Sequence, residues 1–307
     1  MIKVVVDSAC DISGIRVVYD REGNPVQFAK APLTICVGDR EFVDDETLDV
    51  AEMMVALKEY EGATSSACPS PGVWRDCFRD ADEVYVLTIT SALSGSYNSA
   101  LVAREMELED YPEKKIQVFD TLSAGPEMEL ILQQILREIQ AGGSFEEICA
   151  RITDYRKRTK LAFVLYSMDN LVKNGRVSKI AGFAASLLGI AVVGRASKKG
   201  ELEMVAKSRS TGKTNNLVLS EMKRQGYDGG DVTITHCFNA KAAGQLRDQI
   251  LKEFPSAVVQ LMPTGGLCSY YAEQGGLLIG YEAGQREFSV EKMLSAMKPE
   301  KVPDRVM

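Results

Sequence analysis

Hydrophobic positions along the 307-residue chain fall into two patterns, short unbroken runs and longer runs spaced by three and four. Unbroken runs bounded by turn residues predict buried strands, and the three-and-four spacing predicts helices with one apolar face. Residues 3–8 (KVVVDS), 83–90 (EVYVLTIT) and 115–121 (KIQVFDT) are of the first kind, and 49–60, 96–110 and 126–143 are of the second. Gly142 and Gly143 stop the last of these, and Ser144 with Glu147 three residues on makes a capping box for a helix over 144–159. This alternation predicts a mostly parallel sheet flanked by helices for residues 1–160.

The second half alternates less regularly. Strands are predicted over 161–167, 231–238, 257–263 and 277–282, with helices over 214–225 and 240–254. An apolar helix is predicted over 177–189. Residues 190–196 and 201–209 flank the turn Ser-Lys-Lys-Gly and predict a hairpin. Residues 264–276 are glycine-rich, without a helical or strand pattern. The reading is a second α/β domain over 161–290, with a mixed sheet and helices, and a loosely held tail over 291–307 that carries Pro299 and Pro303.

Composition narrows the class. Hydrophobic residues make up 45% and charged residues 26%, as in a soluble globular protein. A net charge of -7 argues against a nucleic-acid partner, which needs a basic face. No apolar run is long enough for stable membrane insertion, and the N-terminus enters a strand without a signal-like segment, so a cytoplasmic protein is expected. The seven cysteines are scattered with no CxxC pair, which fits reduced thiols better than disulfides or zinc. One histidine, His236, excludes a histidine-rich metal site and leaves a single imidazole for any serine hydrolase chemistry.

Three predicted strands end in small polar residues: Asp7-Ser8, Thr90-Ser91, and Asp120-Thr121 with Ser123. Ligands of open α/β sheets bind beyond the carboxyl ends of strands, so the three together point to a polar ligand there. The segment 89–100 (ITSALSGSYNSA) is the sharpest. Ser94 or Ser96 can cap the following helix, Gly95 allows close backbone approach, and free N–H groups at a helix start favour an anion. Residues 62–74 (GATSSACPSPGVW) form another polar stretch, in which Pro69 and Pro71 exclude regular helix and Ser66 offers a hydroxyl. Residues 207–214 (KSRSTGKT) end like a phosphate loop, but Lys207 stands where its first glycine is required. Ser94 as a nucleophile would need a GxSxG elbow and a base, and the context is Ala-Leu-Ser-Gly-Ser. A serine hydrolase or acyltransferase using Ser94, and a binder of some other small organic anion, remain the alternatives.

The segments VVVDSACD (4–11), PLTICVGDREFVDD (32–45), ACPSP (67–71), ITSALSGSYNSA (89–100), FDTLSAG (119–125), LVKNGRV (171–177) and SLLGIAVV (186–193) resemble, in order, those of the DegV family of bacterial fatty-acid-binding proteins (FakB type). The resemblance runs to about residue 282. It implies a two-domain α/β carrier of one long-chain fatty acid, tail buried and carboxylate held in a polar pocket. It also implies a separate fatty acid kinase (FakA type) that makes acyl phosphate, and neither a cofactor, a metal nor a catalytic residue in this chain. Ser94 matches the family serine that donates to the carboxylate, and Gly95 supplies a backbone N–H. Ser66 matches the head-group threonine, and Arg209 in AKSRS matches an arginine of the kinase-facing surface. The sequence departs from the family at 271–275 (YAEQG), where Tyr271 stands in place of a head-group histidine and Glu273 would repel an anion if it faced the pocket.

Overall fold

The structure is a computed structural model that describes residues 1–12, 17–177 and 189–284. The chain opens with β1 (Ile2–Asp7), β2 (Gln27–Ala31), β3 (Thr34–Val37), β4 (Arg40–Val43), α1 (Val50–Glu59), β5 (Thr64–Ala67), α2 (Pro71–Phe78), β6 (Glu83–Thr88), α3 (Ser96–Asp110), β7 (Lys115–Asp120), α4 (Pro126–Gln140) and α5 (Phe145–Tyr155). It continues with β8 (Thr159–Leu165), α6 (Asp169–Lys173), β9 (Ala191–Ala196), β10 (Leu202–Ser208), α7 (Thr211–Arg224), β11 (Val232–His236), α8 (Ala240–Glu253), β12 (Val259–Pro263), α9 (Gly266–Ala272) and β13 (Leu277–Glu282).

The expected parallel sheet is present as β2-β1-β6-β7, with every pairing parallel. Its central strands are buried on both faces, which is why they read as unbroken apolar runs. The second half forms a mixed sheet, β10-β9-β8-β13-β11-β12, in which only β11 and β12 run parallel. The predicted hairpin is β9–β10, turning through Ser197–Gly200. Helix α4 lies between these two sheets, and its first seven residues are all buried. Gly280 of β13 makes that approach possible, since a Cβ there would lie 2.5 Å from the Glu127 backbone nitrogen.

Three elements differ from the sequence reading. A small antiparallel sheet, β4-β3-β5, covers one side of the first half, and β5 is the Thr64–Ala67 part of the polar 62–74 stretch. Pro71 does not exclude a helix. It starts one, because the first helical residue has no N–H to lose, and Ser70 caps it by accepting from Val73 N. The glycine-rich stretch holds α9, whose backbone is fixed by groups distant in sequence. The capping box at Ser144 is as expected. The apolar helix of 177–189, apart from its two end residues, and the tail of 291–307 lie outside the described residues. Among the described residues no helix is long and apolar enough to cross a membrane.

Candidate functional site

A cavity of about 350 Å³ lies between the parallel sheet and the mixed sheet. Most of its wall is aliphatic: Leu33 and Ile89 come from the first half, and Leu165, Leu202, Leu267 and Leu278 from the second. The volume is that of a small-molecule site. At one end the wall turns polar, with Ser66, Cys68, Ser94, Gly95, Arg176 and Tyr271 together. Four of the five residues singled out in the sequence, Ser66, Ser94, Gly95 and Tyr271, therefore share one cavity. The fifth, Arg209, is exposed in the turn between β10 and α7 and takes no part in the wall.

The turn that carries Ser94 is built from below by a buried carboxylate. Asp7, at the end of β1, accepts from Ile89 N (2.8 Å), Ala9 N (3.2 Å) and Ser96 Oγ (2.6 Å). Burial outweighs these three bonds and raises the Asp7 carboxyl to about 7. Ser91 binds Asp120, and Thr121 Oγ1 donates to Thr88 O. The polar strand ends thus satisfy one another and frame the site, and none of Asp7, Ser91, Asp120 or Thr121 lines it. That corrects the expectation that they would face a ligand.

At the helix start one of the two candidate serines serves. Gly95 is the N-cap of α3 and has no side chain to cap with, and Ser96 Oγ is committed to Asp7. Ser94 Oγ accepts from Ser96 N at 3.2 Å, which leaves its own hydrogen free to donate. The Gly95 N–H has no partner among the described residues. A Cβ at Gly95 would lie 3.3 Å from Cys68 Sγ, so the end of β5 sits directly against this turn. Ser99 Oγ donates to Pro69 O and fastens the two segments.

Helix α9 supplies the opposite side. Asp44 accepts from Gly266 N (3.0 Å) and Leu267 N (2.8 Å), and Asp11 accepts from Gly265 N (2.8 Å) and Thr235 Oγ1 (2.8 Å). These carboxylates of the first half fix a helix of the second. At the far end of α9, Tyr271 OH lies 2.8 Å from Ser66 Oγ. Two hydroxyls that share one hydrogen bond leave one O–H free for a ligand oxygen. Glu273 points elsewhere: its Oε1 accepts from Asn170 N at 3.0 Å, and the residue is absent from the cavity wall. The anion repulsion it could have caused does not arise.

Arg176 was not singled out as a site residue, although it stands in the Asn-Gly-Arg of 174–176. Its Nε reaches Leu93 O at 3.4 Å, one residue from Ser94, and Nη1 donates to Asn174 O. Among the described residues no carboxylate forms a salt bridge with it. The polar end therefore carries a cation as well as neutral donors. The signal in sequence is the residue type itself, an arginine directly before the predicted apolar helix of 177–189, and its register in space is not visible there.

His236 ends β11, accepts from Asn239 N at 3.3 Å through Nδ1, and is held below its usual pKa by burial. It is not in the cavity wall, so Ser94 has no imidazole beside it. Among the described residues no group of His, Cys, Asp and Glu is arranged to hold a metal ion.

A family model described as "Uncharacterised protein, DegV family" matches residues 1–283. A DegV domain-containing protein of Streptococcus pyogenes serotype M1 is 45% identical over 280 residues, which are 91% of this chain and 99% of that one. The Streptococcus pneumoniae Fatty Acid Kinase (Fak) B3 protein loaded with linoleic acid is 43% identical in sequence. It is similar in structure with a TM-score of 0.88, over 92% of this chain and 100% of that one. A DegV family protein from Eubacterium eligens loaded with heptadecanoic acid is 40% identical, with a TM-score of 0.87 and the same coverage.

Proposed function

Because the chain belongs to the DegV family, we propose that it binds one long-chain fatty acid, tail in the leucine-walled cavity and carboxylate among Ser66, Ser94, Gly95, Arg176 and Tyr271. The observation that carries this is the cavity's division into a long aliphatic wall and one polar end. Each buried methylene contributes roughly 0.8 kcal/mol, so the tail dominates affinity. The polar end then has to orient the head group and leave an oxygen reactive. Hydroxyl and N–H donors do that without taking a proton from or giving one to the carboxylate. The resemblance to the linoleate-loaded and heptadecanoate-loaded proteins supports the same reading.

The protein acts in the cytoplasm as a carrier, and the catalyst is a separate fatty acid kinase. There the bound carboxylate oxygen attacks the γ-phosphorus of ATP and displaces ADP, giving acyl phosphate. Arg209, exposed and outside the cavity, belongs to the surface that meets the kinase. Exchanging it for Glu leaves fatty acid binding intact and slows acyl phosphate formation when the loaded protein, ATP and such a kinase are mixed. Equal rates for both proteins would remove Arg209 from that surface.

Native mass spectrometry of the purified protein, with lipid extraction, tests the binding itself. One co-purifying long-chain fatty acid per chain is expected. A protein that purifies empty and takes up neither palmitate nor oleate would end this reading. A hydrolase using Ser94 has no observation in its favour, since the lone imidazole is outside the cavity.

A further inference from the structure

The polar end of the cavity is assembled from four separate pieces of chain, the Ser94–Gly95 turn and three others. Ser66 is on β5, Tyr271 is on α9, and Arg176 follows α6. Their mutual spacing needs a common reference, and one buried oxygen touches all three pieces. Tyr270 is fully buried and takes no part in the cavity wall. Its hydroxyl lies 2.8 Å from Thr64 Oγ1 and accepts from Asn174 Nδ2 at 2.8 Å. Thr64 stands two residues before Ser66 on the same strand, so both side chains project from one face. Asn174 stands two residues before Arg176. Tyr270 itself adjoins Tyr271, and the two rings meet edge to face at 4.6 Å.

The donors and acceptors close into one consistent chain. Asn174 Nδ2 donates to Tyr270 OH, Tyr270 OH to Thr64 Oγ1, and Thr64 Oγ1 toward Asn170 Oδ1 at 3.4 Å. Asn170 Nδ2 returns to the Tyr270 backbone carbonyl at 2.8 Å. Asn174 Nδ2 also donates to Asn170 O at 2.8 Å, which fastens both asparagines to the same turn. Each member has one orientation that satisfies its neighbours, and a network of this kind holds its members rigidly.

We infer that the Tyr270 hydroxyl is a positioning group that sets the spacing of Ser66, Tyr271 and Arg176, and so gives the cavity its selectivity for a carboxylate over a neutral head group. It rests on the fatty acid reading above. A ring that only filled the core would support every ligand with the same tail equally. A hydroxyl that spaces the head-group residues supports only those ligands whose head group they grip.

The test compares oleate with oleyl alcohol, which share a tail and differ at the head. Both are titrated into the delipidated full chain by displacement of a fluorescent fatty acid. Tyr270→Phe keeps the ring and its contact with Tyr271 and removes the hydroxyl bonds. It is expected to weaken oleate roughly three- to tenfold and leave oleyl alcohol unchanged. Thr64→Val, which cuts the same chain at its other end, should reproduce that loss of selectivity, and Thr64→Ser should restore it. Folding of each variant is checked by its unfolding midpoint, and Thr64→Val carries the test if Tyr270→Phe fails to fold. Variants whose oleate-to-alcohol ratio matches the wild type overturn the inference. A wild type that binds both ligands equally also overturns the inference and leaves the fatty acid reading standing, whereas one that binds neither removes both.

Discussion

At the scale of single residues, the head-group end works through shared hydrogens. Ser66 Oγ and Tyr271 OH hold each other at 2.8 Å, and either can be the donor. Removing one hydroxyl frees the other from its partner and lets it turn toward the ligand. Ser66→Ala and Tyr271→Phe should therefore each weaken fatty acid binding by about 0.5–1.5 kcal/mol, a few-fold in Kd. The double variant should cost less than the sum, because it removes both ends of one bond. Isothermal titration of the four proteins reads this, and strictly additive losses would mean that the two hydroxyls act separately. The individual residues at this end were partly legible. Ser94 and Gly95 show themselves at a strand-to-helix junction, where the chemistry is local. The bond between Ser66 and Tyr271 spans 205 positions and follows from no local pattern. The placement of Arg176 beside Leu93 is of the same kind, set by where a loop of the second half lands on the first.

At the scale of elements, what could be read depended on where each element finds its partners. The buried strands β1, β6 and β7 and the helix α4 declare themselves because their apolar spacing is their own. Helix α9 does not, since Gly265 and Gly266 suit a turn and the stabilising acceptors lie more than 200 positions away. Asp44 is almost wholly buried and takes the N–H groups of both Gly266 and Leu267. Asp44→Ala leaves two buried donors without acceptors, each costing about 1–3 kcal/mol. The expected result is a loss of about 2–5 kcal/mol in urea unfolding, with fatty acid binding weakened because Leu267 and Tyr271 ride on the same helix. Asp44→Asn, which retains one carbonyl oxygen, should lose less than Asp44→Ala. An Asp44→Ala protein with the wild-type unfolding midpoint would show that α9 is held without Asp44, by the Asp11–Gly265 bond and the apolar face of Leu267 and Tyr270.

At the scale of the whole molecule, the two sheets meet along a seam of buried carboxyl groups. Asp11 reaches Thr235 and Gly265, Glu127 reaches Thr159, and Glu129 reaches Thr233. Asp7 lies beneath the Ser94 turn on the same side. Desolvation is the largest influence on each, raising Asp7 to about 7, Asp11 to about 6 and Glu127 to about 7. In the unfolded chain these groups lose their protons near pH 4. Between about pH 4 and pH 7 the native state therefore binds more protons than the unfolded state, and stability falls as pH rises. Their stabilising contribution is complete below the unfolded pKa and is lost by the time pH has passed the native one. Each group contributes a slope of about 1.4 kcal/mol per pH unit over its window. Exposed carboxylates such as Asp82 and Glu147 are shifted downward and act in the opposite sense, but solvent screens them, so the buried seam prevails. The unfolding midpoint in urea should thus be higher at pH 5 than at pH 7.5, at constant ionic strength and with the lipid removed. Glu127→Gln isolates one share of this effect. Its partners, Ser123 and Thr159, are hydroxyls that can turn to suit an amide, so the variant keeps the contacts and loses the titration. It should flatten the pH dependence chiefly by raising stability at pH 7.5. A wild-type midpoint that stays level or climbs between pH 5 and pH 7.5 would mean that the seam keeps its charges compensated when folded, and that the two halves are joined by ionised groups.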